Sequence, residues 1–372
     1  MKKNIVILVP CLAFGGAERQ ISIVAPLLAK AGYTITVISM IPPRAYEEHL
    51  EQSGIKVVTL NMQQGRYSFN AFFKLIALLK KAKVQQLITF NYPANMMGRM
   101  MKGVFPHIRL ITSYRSATFN SSKRELFLKL TNHFDYKTVP NSHRVAEDFL
   151  GKGIIEKSRL KVIRNGITIP DEGYIENGIK SKSNSIRNEI IGHQPDAFLW
   201  VAVGRYELPK DYPTLFKACS ILKKNFNGNW HLAIAGDGRL REQSEEMIKS
   251  LQLENHISML GKKAEVLPYY YAADAYVSAS AWEGMPNALV EAMMTSLPCV
   301  STAVGEVPNI INEGTTGRTV PPRNEQALAE AMQSVMEMDK GKRADMGKNA
   351  AAYVRNTLDI NKVIREWQLL LT

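Results

Sequence analysis

Short apolar runs that alternate with stretches of helical periodicity constrain the fold of this 372-residue chain more than any other feature. In its first half the apolar runs are residues 4–9, 34–39, 56–60, 86–90, 109–113 and 136–139. In its second half they are residues 198–203, 230–235, 257–260 and 274–280. Continuous apolar runs between helices are typical of parallel strands that are buried on both faces and bind ligands at their carboxyl ends. The sequence therefore predicts parallel α/β sheets.

The length predicts two domains, because 372 residues exceed what one hydrophobic core usually serves. We expect an N-terminal domain over residues 1–168 and a C-terminal domain over residues 196–355. Residues 169–195 contain two prolines together with Gly, Asn and Ser, which predicts a linker region that leads into a short helix. A final helix is predicted over residues 356–372.

Positive charge is concentrated in the first predicted domain. The chain has 47 Lys and Arg against 34 Asp and Glu, a formal net charge of +13. Residues 1–168 hold 25 of the basic and 9 of the acidic residues, so the remainder of the chain is slightly acidic. This asymmetry predicts a partner that carries phosphate, such as nucleic acid, an anionic lipid or a diphosphate-linked substrate. A generally basic, solvated surface is the alternative.

The cysteines and the start of the chain bear on its compartment. Cys11, Cys219 and Cys299 lie in or beside apolar segments without metal-ligand spacing, which predicts buried thiols in a reducing compartment and no cysteine nucleophile. The apolar run of residues 5–14 is too short to span a bilayer and lacks a signal-peptide cleavage pattern. We therefore expect a cytoplasmic protein.

Two glutamates, Glu283 and Glu291, bracket a loop that runs into an apolar helix. Pro286 suits the first position of that helix, where a missing N–H costs nothing. Residues 285–287 lie at the predicted helix start, where the backbone N–H groups of Met285 and Asn287, on either side of Pro286, suit a phosphate. A carboxylate at position 291 lies on a largely buried helix and needs hydroxyl donors, such as those of ribose or a sugar. A packing helix with one hydrogen-bonded Glu is the alternative.

Arg205 and Lys210 lie five residues apart in a loop that follows the apolar run 198–203 and precedes a helix. A guanidinium fork combined with a compact ammonium forms a diphosphate clamp, and loop cations that face solvent are the alternative. Glycines follow several predicted strands and permit close approach of the backbone to a ligand. These glycines are Gly15, Gly16, Gly204, Gly236 and Gly261.

Together these motifs strongly resemble retaining glycosyltransferases of family 4, the GT-B enzymes with two Rossmann-like domains that face each other across a cleft. The resemblance covers nearly the whole chain and continues after Glu291 through residues 297–302, 305–308, Gly314 and Gly317. It implies that Arg205 and Lys210 hold the donor diphosphate, that Glu291 accepts from ribose hydroxyls and that Glu283 contacts the donor sugar. It also implies that the Gly15 and Gly16 loop faces the donor, that the loop at Gly261 lines the nucleobase and that the final helix crosses back to the first domain.

The chain departs from the family pattern at four positions. Arg115 follows the strand after which many family members carry a histidine that contacts the donor sugar, so Arg115 is a candidate sugar contact or a surface residue. Ser296 replaces a common glycine, Asn309 a common Glu and Thr168 a common Asp.

The resemblance implies transfer of a sugar from a nucleotide-sugar donor, with UDP as the expected nucleotide, to an acceptor hydroxyl with retained configuration by front-face attack. We assign no covalent nucleophile. No Asp-x-Asp pair occurs in the sequence, so we expect no metal and no other cofactor. A nucleotide-sugar epimerase of similar shape is one alternative, although the motif of Arg205 and Lys210 and the motif of Glu283 and Glu291 argue against it. A nucleic-acid-binding protein is the other, but no helix-turn-helix, zinc-finger or RNA-binding motif is visible.

The predicted helix 69–82 has an apolar arc wider than one core-facing stripe needs, with Lys74 and Lys81 on the remaining face. Six further basic residues of the first domain accompany it: Arg99, Lys102, Arg109, Lys123, Arg124 and Lys129. We therefore predict that this domain docks on an anionic membrane, on the inner face of the cytoplasmic membrane. The acceptor is then a polyprenyl-diphosphate-linked glycan of bacterial surface-polysaccharide synthesis (O-antigen, capsule or exopolysaccharide). A buried helix with solvated lysines, and a soluble acceptor, are the alternative.

Overall fold

The computed structural model describes residues 3–13, 15–43, 45–66, 68–115, 122–192 and 194–372. The chain divides into two compact units: unit 1 comprises residues 1–166 and 361–372, and unit 2 comprises residues 167–360. In the described ranges, each unit is built on one six-stranded sheet in which all paired strands are parallel. The predicted α/β class with two Rossmann-like domains is confirmed.

The sheet of unit 1 has the strand order β3-β2-β1-β4-β5-β6. Its strands are β1 (Asn4–Val9), β2 (Thr34–Ser39), β3 (Lys56–Thr59), β4 (Gln86–Phe90), β5 (Arg109–Tyr114) and β6 (Lys137–Pro140). The central strand β1 is buried along nearly its whole length, and its residue Ile5 pairs with Ile35 on one side and Gln86 on the other. This strand, apolar from Ile5 to Val9, thus occupies the middle of the sheet, as expected for a parallel sheet covered on both faces.

The helices of unit 1 are α1 (Gly16–Lys30), α2 (Glu47–Gln52), α3 (Phe69–Lys81), α4 (Asn91–Val104), α5 (Ser122–Thr131) and α6 (His143–Gly151). Serine hydroxyls cap two of these helices, because Ser68 Oγ accepts from Ala71 N at 3.2 Å and Ser142 Oγ accepts from Val145 N at 3.1 Å. Ser142 is therefore the N-cap of α6. Helices α3 and α4 pack their apolar residues against the same face of the sheet.

The sheet of unit 2 has the order β12-β11-β10-β7-β8-β9. Its strands are β7 (Phe198–Val203), β8 (Trp230–Ala235), β9 (Ile257–Gly261), β10 (Ala275–Ser278), β11 (Cys299–Thr302) and β12 (Arg318–Val320). The helices before and between its first strands are α7 (Glu172–Tyr174), α8 (Lys180–Ile191), α9 (Tyr212–Asn225), α10 (Arg241–Ser250) and α11 (Leu267–Ala272). The later helices are α12 (Asn287–Met294), α13 (Val307–Ile310), α14 (Glu325–Met336) and α15 (Lys340–Thr357).

The last helix, α16 (Ile360–Leu371), belongs almost entirely to unit 1. The carbonyl oxygen of Leu371 accepts from Lys3 Nζ at 2.8 Å and from Gln86 Nε2 at 2.6 Å. Trp367 is buried and lines a small cavity together with Ile21 of α1 and Ile88 of β4. The helix that resemblance assigned to the first domain therefore packs there, and it begins at residue 360 rather than at residue 356.

The stretch 169–195, predicted as a linker region, is largely helical and belongs to unit 2. Helix α8 is fixed to the sheet by Arg187, which donates to Asp274 Oδ2 at 3.0 Å and to the carbonyl of Ala272 at 2.9 Å. The division between the units falls after residue 166 rather than after residue 168. None of the helices in the described ranges has the length and apolar character needed to cross a membrane.

The two cysteines of unit 2 behave as the sequence predicts. Cys219 and Cys299 are fully buried, and burial raises the pKa of both thiols because the apolar surroundings disfavour the thiolate. Cys11 is only partly buried, and its Sγ lies 3.6 Å from the carbonyl oxygen of Pro42.

Candidate active site

The carboxyl ends of the central strands of unit 2 bring together the glycines predicted for ligand binding. Gly204 follows β7 and donates its N–H to Ala235 O at 3.1 Å, while Gly236 follows β8 and donates to Gly261 O at 3.0 Å. A Cβ placed on Gly236 would lie 1.8 Å from Gly204 O. Only glycine permits this approach, so the loops after β7 and β8 are in direct backbone contact.

The loop that carries Arg205 and Lys210 is closed by a short 3₁₀ turn, Leu208–Lys210, before α9 begins. Asp211 takes a left-handed conformation with φ of 46° at the junction, and Tyr212 donates its hydroxyl to Gly204 O at 2.9 Å. The aliphatic stem of Lys210 lies over Gly204, since a Cβ there would be 3.0 Å from Lys210 Cε. Lys210 is therefore held in place, whereas Arg205 is exposed to solvent.

Lys210 and Glu283 form an ion pair in this site. The Nζ of Lys210 lies 2.5 Å from Glu283 Oε1, and Ser280 Oγ donates to the same oxygen at 3.1 Å. The two side chains are only 24% and 18% exposed, so the attraction between them is weakly screened. The structure thus joins one residue of the predicted diphosphate clamp to one residue of the glutamate motif.

Helix α12 begins one residue later than the sequence predicts. Pro286 is the N-cap, with φ of −80° and ψ of 92°, and Asn287 is the first helical residue. An extended ψ suits a cap residue, so the proline ring precedes the helix instead of opening it. The free amides of the first turn consequently belong to residues 287–289, so the expectation for Met285 is corrected, and Pro286 has no N–H to offer.

The loop between β11 and α13 contacts the backbone of the glutamate motif. Gly305 has φ of 55°, and a Cβ there would lie 2.4 Å from the carbonyl oxygen of Glu283 and 2.5 Å from that of Gly284. The N–H of Glu306 donates to Gly284 O at 2.9 Å. Residues 283–284 are therefore fixed by backbone contacts and do not depend on their own side chains for position.

Glu291 is buried, with 6% of its surface exposed, on the helix side that packs into the core. The hydroxyl of Tyr270 lies 3.3 Å from Glu291 Oε2 and 3.2 Å from Ala288 O. A buried carboxylate with a hydroxyl donor fits both a ligand role and the packing alternative. Sequence analysis missed Tyr270, Tyr212 and Ser280, because a single Tyr or Ser carries no motif of its own.

Gly15, Gly16 and Arg115 belong to unit 1. Gly15 is the N-cap of α1, and a Cβ on it would lie 2.2 Å from Glu18 Oε2, so the glycine leaves space for that carboxylate. Arg115 directly follows β5, and its Nη1 donates to Asn165 Oδ1. Burial lowers the pKa of Arg115 to about 10, and the charge of Glu18 acts in the opposite direction.

A group of His, Cys, Asp and Glu side chains arranged to hold a metal ion does not occur in the described ranges. The predicted independence from a metal stays a prediction.

A second feature of unit 1 is an exposed apolar and basic face formed by α3, α4 and α5, which we call the α3–α5 face. Helix α3 buries Ala71, Leu75 and Leu79 but leaves Phe69 84% and Phe73 64% exposed. The other large apolar side chains exposed on this face are Met100, Val104, Leu126, Phe127 and Leu130. Its exposed cations are Lys74, Lys80, Lys81, Lys123, Arg124 and Lys129.

Helices α4 and α5 are joined by Arg99, which corrects one sequence-based expectation. Arg99 was predicted among the surface cations, but it is 3% exposed and pairs with Asp135 at 2.6 Å. It also donates to Thr131 Oγ1 at 2.8 Å and to Leu128 O at 3.3 Å. A guanidinium with these partners fixes α5 against α4 and takes no part in the surface charge.

Comparison with known proteins supports the fold. The structure superposes on Anabaena HepE, solved in complex with UDP, with a TM-score of 0.84 and 21% identity over 100% of this chain and 99% of that one. The fold is thus that of a GT-B glycosyltransferase.

The family description "Glycosyltransferase Family 4" matches residues 14–169, and "Glycosyl transferases group 1" matches residues 184–353. The chain therefore belongs to the glycosyltransferases of family 4 and group 1. This membership excludes the two alternatives, a nucleotide-sugar epimerase and a nucleic-acid-binding protein.

Two relatives are similar over most of their length. One is an uncharacterized glycosyltransferase of Methanocaldococcus jannaschii, 25% identical over 80% of this chain and 82% of that protein. The other is the GalNAc-α-(1→4)-GalNAc-α-(1→3)-diNAcBac-PP-undecaprenol α-1,4-N-acetyl-D-galactosaminyltransferase of Campylobacter jejuni, 23% identical over 98% of this chain and 97% of that protein.

Proposed function

We propose that this glycosyltransferase moves a sugar from a UDP-linked donor to a hydroxyl of a polyprenyl-diphosphate-linked glycan, with retention of the anomeric configuration. The observation that carries the proposal is the Lys210–Glu283 pair at the carboxyl edge of the unit 2 sheet. UDP as the nucleotide is supported by the likeness to Anabaena HepE, which was solved with UDP. A diphosphate-linked acceptor is supported by the Campylobacter relative, whose name specifies a PP-undecaprenol acceptor.

The chemical problem in this reaction is the negative charge that develops on the departing diphosphate. The bond from the anomeric carbon to the diphosphate oxygen breaks, and the acceptor oxygen bonds to the same face of that carbon while its proton passes to the departing phosphate. Lys210, Arg205 and the first-turn amides of α12 stabilise the leaving group electrostatically. Glu283 accepts hydrogen bonds from the donor sugar, and Glu291 accepts from the ribose.

A two-stage experiment tests the reaction. Thermal-shift screening against UDP-, GDP- and ADP-sugars is expected to show stabilisation by UDP-sugars, because a ligand that binds only the native state raises the melting temperature. The nucleotide-sugar that stabilises the protein most is then incubated with the protein and a short-chain prenyl-diphosphate glycan. The anomeric configuration of the product is determined by NMR. Stabilisation by none of the nucleotides, or an inverted product, contradicts the proposal.

The α3–α5 face supports docking on an anionic bilayer at the inner face of the cytoplasmic membrane, where a polyprenyl-linked acceptor is held. Helices α3 and α4 contain no Asp or Glu, and α5 contains only Glu125. Exposed aromatic side chains beside lysines match the interface of a bilayer with anionic headgroups, where each basic residue adds about 1 kcal/mol.

Liposome co-sedimentation tests the docking. Binding is expected to rise with the fraction of anionic lipid and to fall with salt, and to drop when Lys74, Lys80, Lys81 and Lys83 are replaced by Glu. A matched variant carries the same charge change at exposed lysines of unit 2: Lys224, Lys249, Lys340 and Lys342. Equal loss of binding in both variants, or recovery in the supernatant under all conditions, contradicts docking by this face and favours a soluble acceptor.

A further inference from the structure

Arg115 stands at the carboxyl end of β5, the edge of the unit 1 sheet at which a parallel sheet binds ligands. Its guanidinium carbon lies 4.8 Å from the centre of the Phe90 ring at the end of β4. Its Nη1 donates to the side-chain oxygen of Asn165. The side chain is partly buried, so the group is enclosed on one side and accessible on the other.

The positive charge of Arg115 is not matched by a paired carboxylate. Within the described part of the chain, its hydrogen-bond partner is the neutral Asn165, and its Nε is buried with no hydrogen-bond partner. Glu18 raises the pKa of Arg115, but burial lowers it by more, so the net shift is downward, to about 10. Arg115 therefore stays protonated at neutral pH, and a charge held this way destabilises the unliganded protein.

In the described part of the chain Arg115 donates to Asn165, and Glu18 is the nearby carboxylate whose charge attracts it. Gln20 is committed to the backbone of Gly166, to which it donates at 2.8 Å and from which it accepts at 3.0 Å. Phe90, Ile163 and Trp367 line the same small cavity and are apolar. Apolar walls strengthen the attraction of the guanidinium for an anion that approaches from the accessible side.

We propose that Arg115 binds an anionic oxygen of a phosphate group rather than a sugar hydroxyl. A hydroxyl would leave the charge of Arg115 uncompensated, whereas a phosphate oxygen compensates that charge and accepts from the guanidinium fork. The phosphate comes from the diphosphate of the acceptor or from that of the donor. The proposal depends on the proposed function in one respect only, namely which substrate carries the phosphate.

Direct binding measurements test the site without any need for turnover. Dissociation constants for inorganic pyrophosphate, farnesyl diphosphate and UDP are measured by calorimetry for the parental protein and for Arg115→Gln. Arg115→Gln is expected to weaken pyrophosphate binding at least tenfold. Weaker binding of farnesyl diphosphate alone assigns the phosphate to the acceptor, and weaker binding of UDP alone assigns it to the donor. The matched control is Arg109→Gln, which removes an exposed guanidinium at the opposite end of the same strand.

The melting temperature separates a ligand site from a structural role. Loss of an uncompensated charge is expected to leave the melting temperature of Arg115→Gln unchanged or raised, and Arg115→Lys is expected to retain part of the anion affinity. A lowered melting temperature with unchanged affinity for all three ligands overturns the proposal and assigns Arg115 to the support of Asn165. Loss of pyrophosphate binding in a protein that shows no sugar transfer supports the site while refuting the proposed function.

Discussion

Replacing Lys210 by Ala removes the cation that the structure holds in place over Gly204. Its ammonium contacts Glu283 at 2.5 Å in the unliganded site, so in the complex it is shared between that carboxylate and the diphosphate. The loss of one such electrostatic donor typically costs about 2–4 kcal/mol of transition-state stabilisation, which corresponds to a roughly 30- to 900-fold fall in kcat/KM. The fold is expected to survive, because the ammonium is partly exposed.

The same change leaves Glu283 as an anion without its partner beside the diphosphate. Two like charges about 5 Å apart repel by roughly 3 kcal/mol at an effective dielectric constant of about 20, and solvent reduces this figure. We therefore expect Glu283→Gln in the Lys210→Ala background to recover about 1 kcal/mol of UDP affinity, roughly fivefold. Glu283→Gln alone is expected to bind UDP more tightly than the parental protein while it transfers sugar more slowly.

Calorimetric titration with UDP measures these affinities without interference from the sugar contact. The expected order, from tightest to weakest, is Glu283→Gln, parental, the double variant and Lys210→Ala. The assignment of Lys210 to the diphosphate would be refuted by parental affinity and parental turnover in Lys210→Ala. If Glu283→Gln weakened UDP binding as much as Lys210→Ala, Glu283 would be acting only as a positioning partner of the lysine.

Two further predictions concern unit 2. Ser296 has φ of 63°, a left-handed conformation that costs a residue with a side chain roughly 1 kcal/mol. Ser296→Gly is therefore expected to raise the free energy of unfolding by about that amount in urea titration; a decrease would mean that the hydroxyl makes a stabilising contact. Glu291→Ala is expected to raise the KM for the donor and spare kcat, since ribose contacts exist in both ground and transition states. An unchanged KM, with Tyr270→Phe as the control for the buried hydroxyl, would assign Glu291 to packing.

Most strands of the two sheets were predicted from the sequence, because parallel strands that are buried on both faces leave continuous apolar runs. Strands β1, β2, β4, β7 and β8 have the predicted bounds. Helix α8 was predicted only as a short helix without bounds, because Ser183, Ile190 and Ile191 are its buried residues and leave no helical period. Strand β12 is short, Arg318–Val320, and two of its three residues are polar, so no apolar run marks it.

The sequence motifs predict which residues belong to the candidate site, but they do not predict which of these residues contact each other. Lys210 and Glu283 lie 73 positions apart, and only the parallel order of β7 and β10 brings the loops after them together. Arg99 shows the opposite error, because a residue type alone does not reveal burial. Its guanidinium on α4 pairs with Asp135, which follows α5. The two residues are 36 positions apart, so no local sequence pattern predicts the contact.

Helix α16 affects the point during synthesis at which unit 1 can complete its folding. Unit 1 needs Trp367 of this helix against α1 and the sheet, yet residues 361–372 leave the ribosome only after all of unit 2 has been synthesised. The apolar groove at Ile21 and Ile88 thus stays open to water while nearly two hundred further residues, 167–360, are translated. During that interval we expect unit 1 to expose apolar surface of the kind that chaperones bind, and unit 2 can complete its own core first.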